Sequence, residues 1–236
     1  MILNEIQAQQ PSAELQQYVE NEILPKYRMF DAAHRLDHAQ IVIEQSLRLA
    51  VTVSNSSRYV NADGSKTIVS TDMMYAIAAY HDLGLQEDRK THHLVSGRIV
   101  REDCRLKEWF SAEEIETMAQ AVEDHRASSD HEPRSIYGKI VAEADRLIDQ
   151  DTILRRTLQY GFKHYPDFGK EDHIQRALDH LDEKYAEGGY LKLWIPESPN
   201  GERLHALQQL IKNRTEMRKL VEAAYEREIK NIESRD

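Results

Sequence analysis

The sequence predicts an all-helical protein, and three observations carry that expectation. Glycine and proline are scarce, 9 and 6 in 236 residues. Charged residues are interleaved with apolar ones at the i, i+3, i+4, i+7 spacing of helix faces, and alternating β-branched runs are few. No internal repeat or low-complexity segment breaks the pattern.

A first helix is expected from about Pro11-Ser12 to Leu24, where Pro25 ends it. A second begins near Asp31 and continues to about Val53, with Asp31, His34, His38, Ile41, Val42 and Leu49 on one face. Residues 54–70 are polar around an Asp63-Gly64 turn signal, which suits a loop or a short hairpin. The third helix opens at Thr71, buries the stripe Met74, Ile77, Ala78 and His81, and stops at Gly84 as a C-terminal cap. The fourth, about Thr91 to Cys104, has His93, Ser96, Gly97 and Val100 on one face, small enough to admit a neighbouring backbone. The fifth opens with Ser111-Ala-Glu-Glu114, a capping-box pattern, and presents Met118, Ala121, Val122 and His125 together. The sixth, about Ser135 to Gln150, groups Val141, Ala142, Asp145 and Ile148.

Residues 151–236 read as a helical extension packed on the same domain as residues 1–150, because no linker rich in Gly, Ser or Pro separates them. Helices are expected from Asp151 to Tyr160 and from Glu171 to Glu187, then a loop to Gly201 and one long charged helix from about Glu202 to Ile232. That last helix can pair with a second copy as a homodimer or pack on its own domain.

A net charge of −10, from 31 basic and 41 acidic residues, argues against a stable nucleic acid complex but leaves room for a small anionic substrate in a locally positive cleft. The single cysteine, Cys104, permits no internal disulfide and fits a reducing cytoplasm. The start has no signal-like pattern and no stretch approaches the ~18 apolar residues of a membrane span, so a soluble, cytoplasmic protein is expected.

Five helices place an ionisable side chain on their buried face: His38, His81 with Asp82 beside it, His93, His125 and Asp145. A single core histidine can bond a backbone carbonyl and stay inert, whereas an unpaired buried carboxylate is costly. Five such groups must each find a private partner or meet, and meeting around a divalent metal is the simpler solution. His92 is expected to point away from the face of His93, and His131, His173, His180 and His205 to be solvated.

The order His38 (in Leu36-Asp-His-Ala-Gln-Ile-Val42), His81-Asp82 (in Ala79-Tyr-His-Asp-Leu-Gly84) and Asp145 (in Val141-Ala-Glu-Ala-Asp-Arg-Leu147) resembles the H…HD…D signature of the HD-domain metal-dependent phosphohydrolases, over roughly residues 30 to 150. The resemblance implies an all-α helical bundle in which His38, His81, Asp82 and Asp145 bind a metal. It also implies that His93 and His125 match the further histidines of two-metal members. The chain lacks the Gly-Tyr-Pro extension of the cyclic dinucleotide phosphodiesterases. It has Leu83-Gly84-Leu85-Gln86 where alarmone hydrolases carry His-Asp-x-x-Glu-Asp, so neither substrate is expected.

The implied activity is hydrolysis of a phosphate ester or anhydride of a small phosphorylated compound, a nucleotide first among them. Asp82 would ligate the metal and orient its water. His34, one turn before His38, would bind a phosphate oxygen or protonate the leaving group, or else partner Asp31 or Asp37. Arg126 and Arg146 would pair with phosphate, or form surface salt bridges. The donor set suits Mn, Fe, Ni, Co, Zn or Mg. A di-iron HD-type oxygenase, a non-catalytic nucleotide-binding module and a purely structural metal are the alternatives.

Overall fold

The structure, a computed structural model, describes residues 10–30, 36–61 and 63–234. Among the described residues it contains ten α-helices: α1 (Ala13–Tyr18), α2 (Leu36–Asn55), α3 (Thr71–Tyr80), α4 (His92–Glu102), α5 (Ala112–Glu123), α6 (Ile136–Asp145), α7 (Gln150–His164), α8 (Lys170–Tyr185), α9 (Asn200–Lys212) and α10 (Arg214–Glu233). The all-helical expectation holds. Extended pairing among these residues is limited to an antiparallel bridge between Val60 and Lys66, so the polar stretch is a minimal hairpin. Gly64 turns it at φ 79°, a backbone conformation that side chains disfavour. No described helix is long and apolar enough to cross a membrane.

The chain forms two units, residues 1–146 with 194–198, and residues 147–193 with 199–236. The first is organised around α3, which packs against α2, α5 and α6. Its residues from Met73 to Tyr80 are all buried, not only the expected stripe. Small Ala76, Ala78 and Ala79 let neighbours close in on every side, and a helix apolar all round belongs in a core. Met74 and Ile77 are fully buried, each contributing about 1.5–3 kcal/mol.

The start of α3 is capped by Ser70, whose Oγ accepts the Met73 N–H. Its end falls at Tyr80, four residues before the expected Gly84 cap, and a 3-10 turn at Leu83–Gln86 follows. The helix stops early because side chains take its last carbonyls. His81 Nδ1–H donates to Ala78 O at 2.8 Å and the Tyr27 hydroxyl to Ala79 O at 2.9 Å. Gly84 is needed for another reason. A Cβ there would run into the His92 carbonyl and stand 2.8 Å from the Ser96 nitrogen, so the turn can lie against α4 only without one.

The expected first helix does not end at Pro25. After α1 the chain passes through a π turn, Val19–Ile23, into a 3-10 turn, Leu24–Met29, with Pro25 at its start, where a missing N–H costs little. At α5 the capping box forms: Ser111 Oγ accepts from Glu114 N–H while Glu114 Oε2 accepts from Ser111 N–H. Residues 194–198 return to the first unit, where buried Glu143 accepts from the Trp194 N–H at 2.7 Å.

In the second unit α10 packs against α7, α8 and α9. The single long final helix of the sequence reading is two helices, because Asn213 leaves the helical conformation and its side chain accepts the Glu216 N–H, capping α10. His173, expected to be solvated, is buried with its ring edge-on to Phe162 at 4.8 Å. The aromatic neighbours are brought to it by α7 and α10, out of reach of local sequence.

Candidate metal centre

Asp82 lies at the middle of the first unit's polar cluster, buried just past the end of α3. Its two carboxylate oxygens face two different groups. Oδ2 stands 3.3 Å from His81 Nε2 and 3.7 Å from His38 Nε2. Oδ1 stands 3.4 Å from His125 Nε2 and 3.5 Å from His92 Nε2. Asp145, the last residue of α6, closes the first group with Oδ1 3.1 Å from His38 Nε2 and 3.9 Å from His81 Nε2. His81, Asp82, His92, His125 and Asp145 sit at or beside a helix end, where side chains from different helices can meet without crossing a packed face.

Three of the imidazoles are oriented in the same way. His81, His92 and His125 each direct Nδ1 at the carbonyl three residues earlier, Ala78, Arg89 and Val122, at 2.8, 2.8 and 2.6 Å. A carbonyl only accepts, so Nδ1 carries the hydrogen and a neutral ring leaves Nε2 as a bare lone pair. These lone pairs point at Asp82, and those of His92 and His125 face each other at 3.2 Å. Acceptors converging on acceptors repel unless a cation or proton lies among them.

The electrostatics agree. Burial alone would keep His81 neutral, but the negative charge of Asp82 outweighs it and raises the ring to about 9. Burial opposes ionisation of Asp82, yet His81 and His125 hold its carboxyl well below the usual range. Asp145 is also held low, burial being outweighed by His38. His92 is pushed down to about 4 by burial, with His125 adding to it.

His38, His81 and Asp82 form one group able to hold a metal, and Asp82, His92 and His125 a second. The spacings fit. Ligands at about 2.0–2.2 Å from an ion stand roughly 3–3.5 Å apart at tetrahedral or octahedral angles; the contacts of 3.1, 3.3, 3.4 and 3.5 Å lie in that range, and those of 3.7 and 3.9 Å lie just beyond it. His81 Nε2 is buried and has no hydrogen-bond partner, as a nitrogen reserved for a metal should be.

Residues 35–148 match the family model described as HD domain. The chain carries an HD domain. No curated protein and no solved structure matches it. The HD domain thus takes in α2 to α6 and all the histidines and aspartates of both groups. Its family points to metal-dependent hydrolase chemistry, and its buried His38, His81, Asp82, His92 and His125 can hold a metal.

Of the residues singled out in the sequence, His38, His81, Asp82, His125 and Asp145 are brought together. His93 is not among the converging atoms, and His92 takes the place expected for it. The ring of His93 lies half-buried, edge-on to His92 at 5.6 Å, and burial with His125 and Arg126 nearby lowers it to about 4. The register decides this. Asp88 Oδ2 accepts the Thr91 N–H and hydroxyl, so α4 begins at His92, whose side chain leans back over the preceding turn toward Asp82. The Asp88-x-x-Thr91 spacing was the available signal. Arg126 is half-buried and gives one nitrogen to the Lys90 carbonyl at 2.6 Å. Arg146 is buried, bonded to the Ala142 carbonyl, with Nε unpartnered. Among the described residues, neither is in a salt bridge. His34 lies outside the described residues.

Proposed function

We propose that the protein is a metal-dependent phosphohydrolase acting on a phosphate ester or anhydride of a small phosphorylated compound, nucleotides being the first class to test. The observation that carries this reading is the shared orientation of His81, His92 and His125, each turning a bare Nε2 toward the carboxylate of Asp82. A divalent ion held there, whether Mn, Fe, Ni, Co, Zn or Mg, supplies a water of lowered pKa, toward ~7, and polarises a phosphoryl oxygen.

The chain's own residues divide the remaining work. Asp82 serves both groups, and its charge would help to hold an ion in either. His38 and Asp145 complete the first group, and His92 and His125 the second. Arg146, adjoining Asp145 with Nε free, and Arg126, with one nitrogen already fixed, supply guanidinium groups for substrate phosphate. His34, four residues before His38, is proposed to protonate the leaving group.

A second reading has one observation in its favour. A single carboxylate facing two histidine groups also suits a pair of irons, as in an HD-type oxygenase. Elemental analysis of wild type beside Asp82→Ala, coupled to phosphate release from a nucleotide panel with added Mn, separates the two. Metal and phosphate release lost together in the variant is the expected result. Retained iron with a visible absorption band and no phosphate release would favour the oxygenase. No metal in the wild type, even after adding it back, would overturn both.

A further inference from the structure

We propose that Tyr27 is the positioning residue of Asp82, its hydroxyl fixing the backbone that carries the shared carboxylate. The inference rests on the metal-dependent reading above. Tyr27 is fully buried in the 3-10 turn Leu24–Met29, with its ring 6.3 Å from that of His81 between centroids. Its hydroxyl reaches across 55 residues of sequence to accept the Asp82 N–H at 3.3 Å. The same hydroxyl donates its hydrogen to the Ala79 carbonyl at 2.9 Å. One phenol thus satisfies a donor and an acceptor at one helix end.

The alternative at this point in the chain is a continued helix. Asp82 lies at φ −107°, ψ 5°, out of the helical conformation, and the carbonyl its amide would take in a continued helix, that of Ala78, is bonded to the His81 ring. Remove the hydroxyl, and a buried amide and a buried carbonyl lose their partners, a state proteins avoid. The cheapest repair is to add residues to α3. Each residue of helix turns the chain by about 100°, and a carboxylate turned by that much cannot face His81 and His38 with one oxygen and His92 and His125 with the other. Tyr27 therefore holds α3 to its end at Tyr80 and Asp82 in its two-sided position.

The test is Tyr27→Phe, which keeps the ring and deletes the hydroxyl, read by titration with Co2+ through the visible absorption of the bound ion. Tyr18→Phe is the control. It also deletes a hydroxyl bonded in the first unit, to Asp103 at 2.5 Å, remote from the imidazoles. Tyr27→Phe is expected to weaken Co2+ binding about tenfold or more, the usual effect of losing a partner behind a metal ligand, and to shift the absorption band. Tyr18→Phe is expected to lower the metal-free melting temperature while binding Co2+ as wild type does. Unchanged affinity in Tyr27→Phe, or an equal loss in both variants, would overturn the proposal.

Amide hydrogen exchange on the wild type covers a variant that does not fold. The Asp82 amide should exchange slowly, and exchange at the rate of an open loop would overturn the role. Wild type that takes up no Co2+ at all would overturn the metal-dependent reading and this inference with it. Phosphate release plays no part in the readout, so loss of the hydrolase reading alone is told apart from loss of the Tyr27 role.

Discussion

Asp82→Asn keeps the shape of the side chain, removes its charge and turns one of its two acceptor oxygens into a donor. The structure gives the two consequences opposite weights. With metal, the variant offers an anionic oxygen to neither group and aims an N–H2 at one of them, across separations of 3.3 to 3.7 Å. Without metal, that N–H2 can donate to a bare Nε2, and His81 can release the proton that Asp82 had held. Metal at a hundredfold excess over Kd stabilises by about 2.7 kcal/mol. For a unit of this size each kcal/mol moves the melting temperature by roughly 2–4 °C. Wild type should therefore melt about 5–10 °C higher in saturating Mn than in chelator. Asp82→Asn should show no such rise, and its metal-free stability should stay within about 1 kcal/mol of wild type. Calorimetry in EDTA and in Mn reads both numbers. A variant whose melting temperature rises with Mn as the wild type's does would refute the placement of Asp82 at the centre.

Two further outcomes are expected. Gly84→Ala should destabilise the first unit by about 1–3 kcal/mol, because its Cβ would meet backbone atoms of His92 and Ser96, which cannot swing aside, and it should weaken metal binding by pushing α4 from Asp82. A urea midpoint equal to wild type's would disprove the close approach. In the second unit, burial, with Lys184 and Arg176 alongside, lowers His180 from 6.5 to about 4. The unfolded chain then binds the proton first, so this contribution to stability is complete above pH 6.5 and is lost as pH falls toward 4, on the order of 3 kcal/mol at most. His180→Gln should flatten the urea midpoint over that interval, and a slope equal to wild type's would refute the assignment.

Helix faces were read from the sequence wherever a single local rule operates. The capping box at Ser111 and Glu114 is complete within four residues, and it formed as expected. His38, His81, Asp82, His125 and Asp145 stood out because an ionisable group on an apolar stripe violates the hydrophobic pattern, and that violation is visible without knowing what lies opposite. The end of α3 was misplaced because Gly84 has the form of a cap, while the groups that cap the helix include the ring of His81 and a tyrosine far upstream. The final helix was drawn as one because its charge pattern runs through Asn213 unbroken, and only the side-chain bond to Glu216 shows the break.

His92 and Tyr27 mark where linear reasoning stops. Two adjacent histidines differ by about 100° around a helix, so the one-residue difference between the expected start at Thr91 and the observed start at His92 is enough to exchange them. Tyr27 carries no local anomaly, since a tyrosine near a proline turn is ordinary and its partners lie more than fifty residues away. Periodicity and composition were enough for an all-helical chain with imidazoles and carboxylates turned inward, because burial is periodic along a helix. Which imidazole reaches Asp82, and what holds Asp82 in place, depends on the register and hydrogen bonds between helices, and those arise only when distant segments pack.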